Sequence, residues 1–350
     1  MPFNTIVGQQ RACGMLLKNI SSGRVAHAYL FHGPEGVGKD DAAVAFAQAL
    51  ACINPGEAGD ACGECTHCRR MQPNEDAPDG NHPDIIHLRM GVGDKAAKNR
   101  LTIDQIRNLQ QRMVYAPLEA PYKVIIIHDA ETMSAGRGES ANAFLKTLEE
   151  PPRQTVIILL APSATSVLET VRSRCRLVPF APLPVPVLED ALQQRYTLPP
   201  AQIRLIAQLS GGNLKAAVNA VEEETFASRA HRLQLWINAG KDHVGAMSGL
   251  AQELGKDRAE AAVFIDLLYT LYRDVLLVQH GVPTEAAEVI NADLRDDLRQ
   301  MAAALNPRDI LNYMNMLTQR RSDLRINVSV PGLIEELYWE GRRNNMWPAG

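Results

Sequence analysis

The pattern of apolar and polar positions changes in character near residue 180. Before that point, short β-rich runs alternate with helical stretches, which is typical of a parallel sheet flanked by helices. The predicted strands are 28–32, 85–88, 124–128, 155–160 and 177–180. Helices are predicted between them, including 39–51, 103–115 and 141–149. The last of these should end at the proline pair that follows it.

The second half of the chain predicts helices and no strands. Apolar residues recur there at spacings of three and four, as at Phe264, Leu268, Leu271 and Val275. Between the halves, the segment APLPVPVLED carries three prolines. Because proline disfavours helical backbone before it, we predict an extended linker there, with a new domain starting near Pro182.

Composition and charge narrow the classes of protein. With 350 residues, 46% of them hydrophobic and 22% charged, the chain should fold into two or three globular domains. A net charge of −4 argues against a protein that coats nucleic acid through an overall basic surface. The N-terminus resembles no signal peptide, and no apolar stretch is long enough for a membrane span. We therefore expect a cytoplasmic protein without a membrane partner.

The segment GPEGVGK follows a predicted strand and precedes a predicted helix, which is the context that the phosphate-loop motif GxxxxGK requires. Gly33, Gly36 and Gly38 would let backbone amides surround a phosphate, and Lys39 would neutralise it. Asp129, at the end of the third predicted strand, would be the acidic residue of the same nucleotide site. These residues do not decide whether the chain binds ATP.

Two groups that hydrolysis needs are missing. The residue after the loop lysine should carry a hydroxyl for magnesium but is Asp40, and Ala130 stands where a glutamate would polarise water. Glu131 lies one residue further on, and we expect it to face elsewhere because consecutive residues leaving a strand face opposite sides. We predict a nucleotide-binding fold that does not hydrolyse ATP. The alternative is an active ATPase in which Asp40 binds magnesium and Glu131 replaces the glutamate.

Four of the six cysteines are clustered, and such clustering in a cytosolic chain indicates a metal site. The candidate ligands are Cys52, Cys62, Cys65 and Cys68. Four thiolates match a closed structural zinc site, which predicts a zinc module at 52–68. An iron–sulfur cluster also takes four cysteines, and His67 and His82 are nearby substitute ligands. A zinc-dependent DNA-binding module is a further alternative, although the charges of this segment are mixed.

Together these residues resemble the clamp-loader AAA+ proteins, and within them the bacterial delta-prime branch, over nearly the full chain. The segments that carry the resemblance are IVGQQ, HAYLFHGPEGVGK, the cysteine module, ANAFLKTLEEPP and SRC. The resemblance implies an α/β P-loop NTPase (AAA+) domain with an inserted zinc module at 1–181. A small helical lid domain at 182–226 and a C-terminal all-α bundle at 227–350, which forms the collar, would follow.

The resemblance also implies partners and a role in DNA polymerase III. The chain would join a delta subunit and three tau or gamma ATPases in a five-membered ring that places the sliding clamp on primed DNA. In the SRC motif, Ser173 precedes Arg174, which would reach the ATP of a neighbouring tau or gamma subunit as an arginine finger. The alternative is that Arg174 caps a strand end or pairs with a local acid. Lys215 replaces the arginine of a sensor motif in the family, which weakens a role in nucleotide sensing.

Overall fold

The computed structural model describes residues 2–74, 77–91, 100–134, 138–222, 225–239, 258–284, 286, 288–324 and 329–347. The chain divides into two compact units, one of residues 1–197 with 210–217 and the other of 198–209 with 218–350. The division into three domains at the boundaries named above stays a prediction.

A five-stranded sheet organises the first unit, with the strand order β2-β3-β4-β1-β5. The strands are β1 (Ala28–His32), β2 (Ile85–Leu88), β3 (Lys123–Ile127), β4 (Thr155–Ala161) and β5 (Arg176–Pro179). All neighbouring pairs are parallel, which confirms the predicted sheet and the existence of its five strands. β3 and β4 are buried along their whole length, as expected for central strands covered on both faces.

Helices cover both faces of this sheet. They are α1 (Gln10–Ser21), α2 (Lys39–Ala51), α3 (Thr66–Arg70), α4 (Ile103–Met113), α5 (Glu139–Glu149), α6 (Glu169–Arg172) and α7 (Val185–Arg195). Short 3-10 turns occur at Phe3–Thr5, Glu57–Gly59, Ala130–Ser134 and Ala164–Ser166. Successive strand residues point to opposite faces, so Phe31 packs in one core with Phe46, while its neighbour Leu30 packs in another with Phe144.

The predicted extended linker after residue 180 is wrong in its second half. α7 begins at Val185, directly after its N-cap residue Pro184, and Pro186 lies in its first turn. The first amides of a helix have no acceptor within the helix, so a proline there removes no hydrogen bond. The prolines therefore lead into a helix and do not exclude one.

The second unit is helical throughout the residues that the structure describes. Its helices are α8 (Pro200–Leu209), most of α9 (Leu214–Glu222), α10 (Thr225–Ala239), α11 (Arg258–Gln279), α12 (Arg295–Ala304), α13 (Pro307–Asp323) and α14 (Val330–Arg343), with a 3-10 turn at Ala292–Leu294. Trp236, Tyr272 and Tyr313 are fully buried in its core. Within the described ranges, no helix combines the length and apolarity needed to cross a membrane.

Candidate functional sites

The GPEGVGK segment forms the loop between β1 and α2. Gly36 and Gly38 have left-handed backbone angles, with φ of 66° and 94°. A Cβ atom added at Gly33 would lie 2.1 Å from the carbonyl oxygen of Phe180. Glycine adopts left-handed angles without a Cβ penalty and permits such close approach. The structure thus brings the three predicted glycines together in one compact loop.

Lys39 is bound to the carbonyl groups of its own loop. The residue is 6% exposed, and its Nζ donates hydrogen bonds to the carbonyl oxygens of Gly33, at 2.6 Å, and Pro34. Burial lowers the pKa of Lys39, although four nearby carboxylates act in the opposite direction. The ammonium group therefore lies inside the phosphate loop, where the motif places it.

Residues 210–217 lie against the phosphate loop, a contact that the loop motif does not encode. The backbone amide of Leu214 donates to the carbonyl oxygen of Gly36 at 2.9 Å. Asn213 accepts a hydrogen bond from the amide of Ala216 and fills the space beside Gly36, where an added Cβ would lie 1.7 Å from the Asn213 Oδ1. Lys215, at the sensor position, is exposed.

Asp40 is hydrogen-bonded to the end of β3. Its Oδ1 lies 2.9 Å from Nδ1 of the buried His128, which Arg89 also approaches at 3.1 Å. Desolvation raises the pKa of Asp40, but the hydrogen bond to His128 and the charges of Arg89 and Lys39 outweigh it, so the pKa is lowered. Asp40 is therefore held as a carboxylate whose charge is already partly neutralised.

Glu131 does not continue the extended backbone of β3. β3 ends at Ile127, Asp129 has a left-handed φ of 51°, and the chain then turns into the 3-10 segment Ala130–Ser134. The alternation of an extended strand therefore does not apply to Glu131, and the direction of its side chain stays a prediction. Burial, followed by the charge of Asp129, raises the pKa of Glu131.

Arg174 forms the local ion pair that the sequence left as an alternative. Its Nη2 donates to Oε1 of Glu149 at 2.6 Å, and its Nη1 donates to the carbonyl oxygen of Thr170 at 2.7 Å. Ser173 is the C-cap residue of α6. The Arg174 side chain is 35% exposed and its partner 50%, and an ion pair this exposed contributes only about 0–1 kcal/mol. Arg174 can therefore exchange Glu149 for another anionic partner at little cost in free energy.

The four clustered cysteines converge on one point. The sulfur of Cys52 lies 4.0 Å from that of Cys65, and the sulfur of Cys62 lies 4.0 Å from that of Cys68. All four sulfurs lie within 4.8 Å of one another, and all are free thiols. Tetrahedral zinc, with bonds of about 2.3 Å, needs sulfur separations of about 3.8 Å. The arrangement can therefore hold a tetrahedral metal ion with small adjustments.

Backbone amides point at three of these sulfurs. The amides of Cys62, Cys65 and Cys68 each donate to the sulfur of the preceding cysteine of the set, at 3.3, 3.3 and 3.5 Å. Partial burial raises the pKa of Cys65, but hydrogen bonds to its sulfur lower it to about 6. Such donors favour the thiolate, which is the form that binds metal.

The two nearby histidines bond to each other. Nε2 of the buried His82 lies 2.8 Å from Nδ1 of His67, and Nδ1 of His82 accepts the amide of Asp84 at 3.1 Å. Each histidine therefore has a hydrogen-bond partner outside the group of four sulfurs.

Comparisons with known proteins match most of the chain to subunits of DNA polymerase III. A family model described as DNA polymerase III, delta subunit matches residues 8–184, and one described as DNA polymerase III, delta subunit, C terminal matches residues 225–340. DNA polymerase III subunit delta' of Bacillus subtilis is 32% identical over 333 residues, 94% of each chain. Subunit delta' of Escherichia coli is 29% identical over 322 residues, 92% of this chain and 89% of that relative. Subunit gamma/tau of Mycobacterium tuberculosis is 27% identical over 361 residues, and the match spans 96% of this chain and 60% of that relative.

Proposed function

The chain belongs to the family of DNA polymerase III delta-prime subunits, and from that premise we propose that it is a clamp-loader subunit that does not hydrolyse ATP itself. The chemistry at the phosphate loop supports this proposal. Asp40 replaces the magnesium-binding hydroxyl, and its carboxylate is hydrogen-bonded to His128. The buried methyl group of Ala130 replaces the glutamate that would polarise water. The glycines and Lys39 survive, so nucleotide binding is a separate question.

The rate of ATP hydrolysis by the isolated chain tests this proposal. With ATP and magnesium, we expect no steady-state hydrolysis above the blank, while equilibrium titration with labelled ATP measures binding independently. Because the buried Oε2 of Glu131 has no hydrogen-bond partner among the described residues, the Glu131→Gln variant tests whether this carboxylate replaces the missing glutamate. Turnover that this variant abolishes would favour the active ATPase instead.

We further propose that Arg174 serves the ATP of a neighbouring subunit. In this proposal the chain joins delta and the tau or gamma ATPases in a ring that loads the sliding clamp onto primed DNA. The support is the SRC motif, the exposure of the guanidinium and the low cost of exchanging Glu149 for a phosphoryl group. A planar, permanently charged guanidinium can stabilise the charge that develops during phosphoryl transfer.

The Arg174→Ala variant should fold and assemble but lower the ATPase rate of the reconstituted ring. We expect a loss of at least about one third, because one of three ATP sites would lose its arginine. Arg172→Ala is the matched control, since Arg172 ends α6 two residues before Arg174 and pairs with Glu169 at 3.4 Å. Unchanged ATPase and clamp loading in Arg174→Ala would reject the role in trans.

We also propose that the four cysteines bind one structural zinc ion. The four-sulfur geometry and the amide donors to sulfur support this assignment, and a closed set of four thiolates leaves no open position for catalysis. The ion would hold the segment between α2 and α3 in place.

Metal analysis of the purified chain should find one zinc per chain in the wild type and a strong loss in Cys65→Ser. Cys13→Ala is the matched control, because Cys13 is buried on α1 outside the cluster. Full zinc content in Cys65→Ser would contradict the assignment, and iron in the wild type would identify the cluster alternative.

A further inference from the structure

Two histidines and an aspartate, which together form the histidine cluster, meet near the ends of β2 and β3. His87 lies on β2, His128 directly follows β3, and Asp79 lies in the turn before β2. Each residue offers one ligand atom, and these three atoms lie within 4.8 Å of one another. The side chains of His87 and His128 are 7% and 6% exposed, so the cluster lies largely inside the protein.

The spacing of the ligand atoms suits a small divalent ion. Nδ1 of His87 lies 3.2 Å from Nε2 of His128 and 3.5 Å from Oδ1 of Asp79. Zinc binds imidazole nitrogen at about 2.0–2.1 Å, and tetrahedral angles then separate neighbouring ligand atoms by about 3.3–3.4 Å. Both measured separations are close to this value. The third, within 4.8 Å, needs only a small shift of Asp79 in its turn.

The hydrogen bonds of His128 make its Nε2 available to a cation. Nδ1 of His128 lies 2.9 Å from Oδ1 of Asp40, which is held as a carboxylate and can only accept, so Nδ1 carries the hydrogen. Nε2 then carries the lone pair, and it faces Nδ1 of His87. Histidine ligands of metal ions usually donate their other N–H to a carboxylate or carbonyl in this way. Asp40 therefore orients His128 from outside the cluster.

The protonation states of the other two residues also favour a cation. Burial lowers the pKa of His87 to about 4, although the charge of Asp79 acts in the opposite direction, so the imidazole is neutral at neutral pH. The hydrogen bond from Arg89 lowers the pKa of Asp79 and keeps it ionised. Neutral imidazole and carboxylate are the forms that bind metal ions.

Arg89 competes with an ion for this cluster. Its Nη2 donates to Oδ1 of Asp79 at 2.7 Å, and its Nη1 lies 3.1 Å from Nδ1 of His128. The Arg89 side chain is 42% exposed, so it can turn toward solvent at little cost when an ion takes Asp79. With three ligands and this competitor, the cluster should bind metal more weakly than four cysteines do.

The other close pair of histidines lacks the same opportunity. Nδ1 of His82 accepts the amide of Asp84, so Nε2 of His82 carries the hydrogen and donates it to His67. That nitrogen has no lone pair for an ion. The two histidine pairs therefore differ in tautomer, and His67 provides a control for the histidine cluster.

We propose that the histidine cluster binds one divalent ion of the class that prefers imidazole, such as zinc. Three protein ligands leave a fourth position for water or another oxygen ligand. Because His128 is bonded to Asp40, the residue after the loop lysine, the ion would connect β2 and β3 to the start of α2. The proposal does not depend on the cysteine module or on the arginine finger.

The test is isothermal titration of zinc chloride into the full chain, dialysed free of weakly bound metal. The zinc content before titration reports on the cysteine module, and the titration reports on the histidine cluster. Relative to the wild type, Asp79→Ala and His87→Ala should bind the added ion at least about tenfold more weakly. Arg89→Ala should bind it several-fold more tightly, because the competing charge is removed. His67→Ala and His280→Ala, which changes an exposed histidine of the second unit, are the controls and should match the wild type.

Four results would overturn the proposal. One is a wild type that takes up no added zinc. Another is wild-type affinity in both Asp79→Ala and His87→Ala, once circular dichroism has shown that they are folded. Weaker binding in Arg89→Ala would show that the ion does not replace the guanidinium at Asp79. Loss of the added ion in His67→Ala would assign it to the other pair of histidines.

Discussion

Gly36 shows how closely individual residues of the phosphate loop are fitted to their surroundings. Its backbone is left-handed, with φ of 66°, and the Asn213 side chain occupies the place of a Cβ atom. The position therefore requires glycine for both its conformation and its space. The packing of segment 210–217 therefore depends on a glycine of the phosphate loop, which lies about 180 residues earlier in the chain.

Gly36→Ala should destabilise the first unit by about 2–5 kcal/mol, from left-handed strain of about 1–2 kcal/mol and overpacking of about 1–3 kcal/mol. Gly23→Ala isolates the strain, because Gly23 has a similar φ of 65° and no heavy atom within 4 Å of an added Cβ. Urea denaturation measures both variants. Equal losses would show that Asn213 moves aside without cost.

At the scale of elements, α4 illustrates a helix whose start is specified locally. Thr102 and Gln105 form a capping box, in which the Thr102 side chain accepts the Gln105 amide and the Gln105 side chain accepts the Thr102 amide. These bonds satisfy amides that have no partner within the helix. Leu109, one turn further along, is buried in the sheet core.

Thr102→Ala should destabilise the first unit by about 1 kcal/mol, because one capping bond is lost. Thr102→Ser keeps the hydroxyl and should stay close to the wild type. Hydrogen exchange of the first α4 amides distinguishes the variants, and equal protection in both would show that the cap contributes nothing.

At the scale of the whole molecule, each unit has a core of its own. In the second unit, buried hydrogen bonds connect distant segments within the core. Trp236 Nε1 donates to the Tyr272 hydroxyl at 3.0 Å, and that hydroxyl donates to the carbonyl oxygen of Met346 at 3.2 Å. Trp347 Nε1 donates to the carbonyl oxygen of Trp236 at 2.8 Å. The C-terminal segment is therefore part of this core.

Tyr272→Phe should destabilise the second unit by about 1–3 kcal/mol, because it leaves the buried indole donor of Trp236 without its acceptor. Tyr269→Phe, on the same helix and 41% exposed, is the control and should have little effect. Calorimetry measures the loss of stability, and hydrogen exchange shows which unit loses protection. Equal loss of protection in the first unit would show that the two cores unfold as one.

Local patterns in the sequence predicted the sheet, the phosphate loop and the cysteine set. Strand alternation, glycine spacing and the CxxCxxC spacing act over a few residues, so the chain itself carries them. The same local reasoning failed where the backbone turned: Pro186 fits the first turn of α7, and Glu131 lies in a 3-10 turn and not at an extended strand end.

Only the tertiary structure decided the contacts between distant residues. It joined Asp40 to His128, placed Asn213 beside Gly36 and paired Arg174 with Glu149. It also placed Arg24, from the loop before β1, and Arg176, at the start of β5, beside one cavity. No local pattern encodes these pairs, because each depends on which faces and edges pack together after the sheet has formed. The sequence thus determined which chemical groups the chain carries, and packing decided which of them meet.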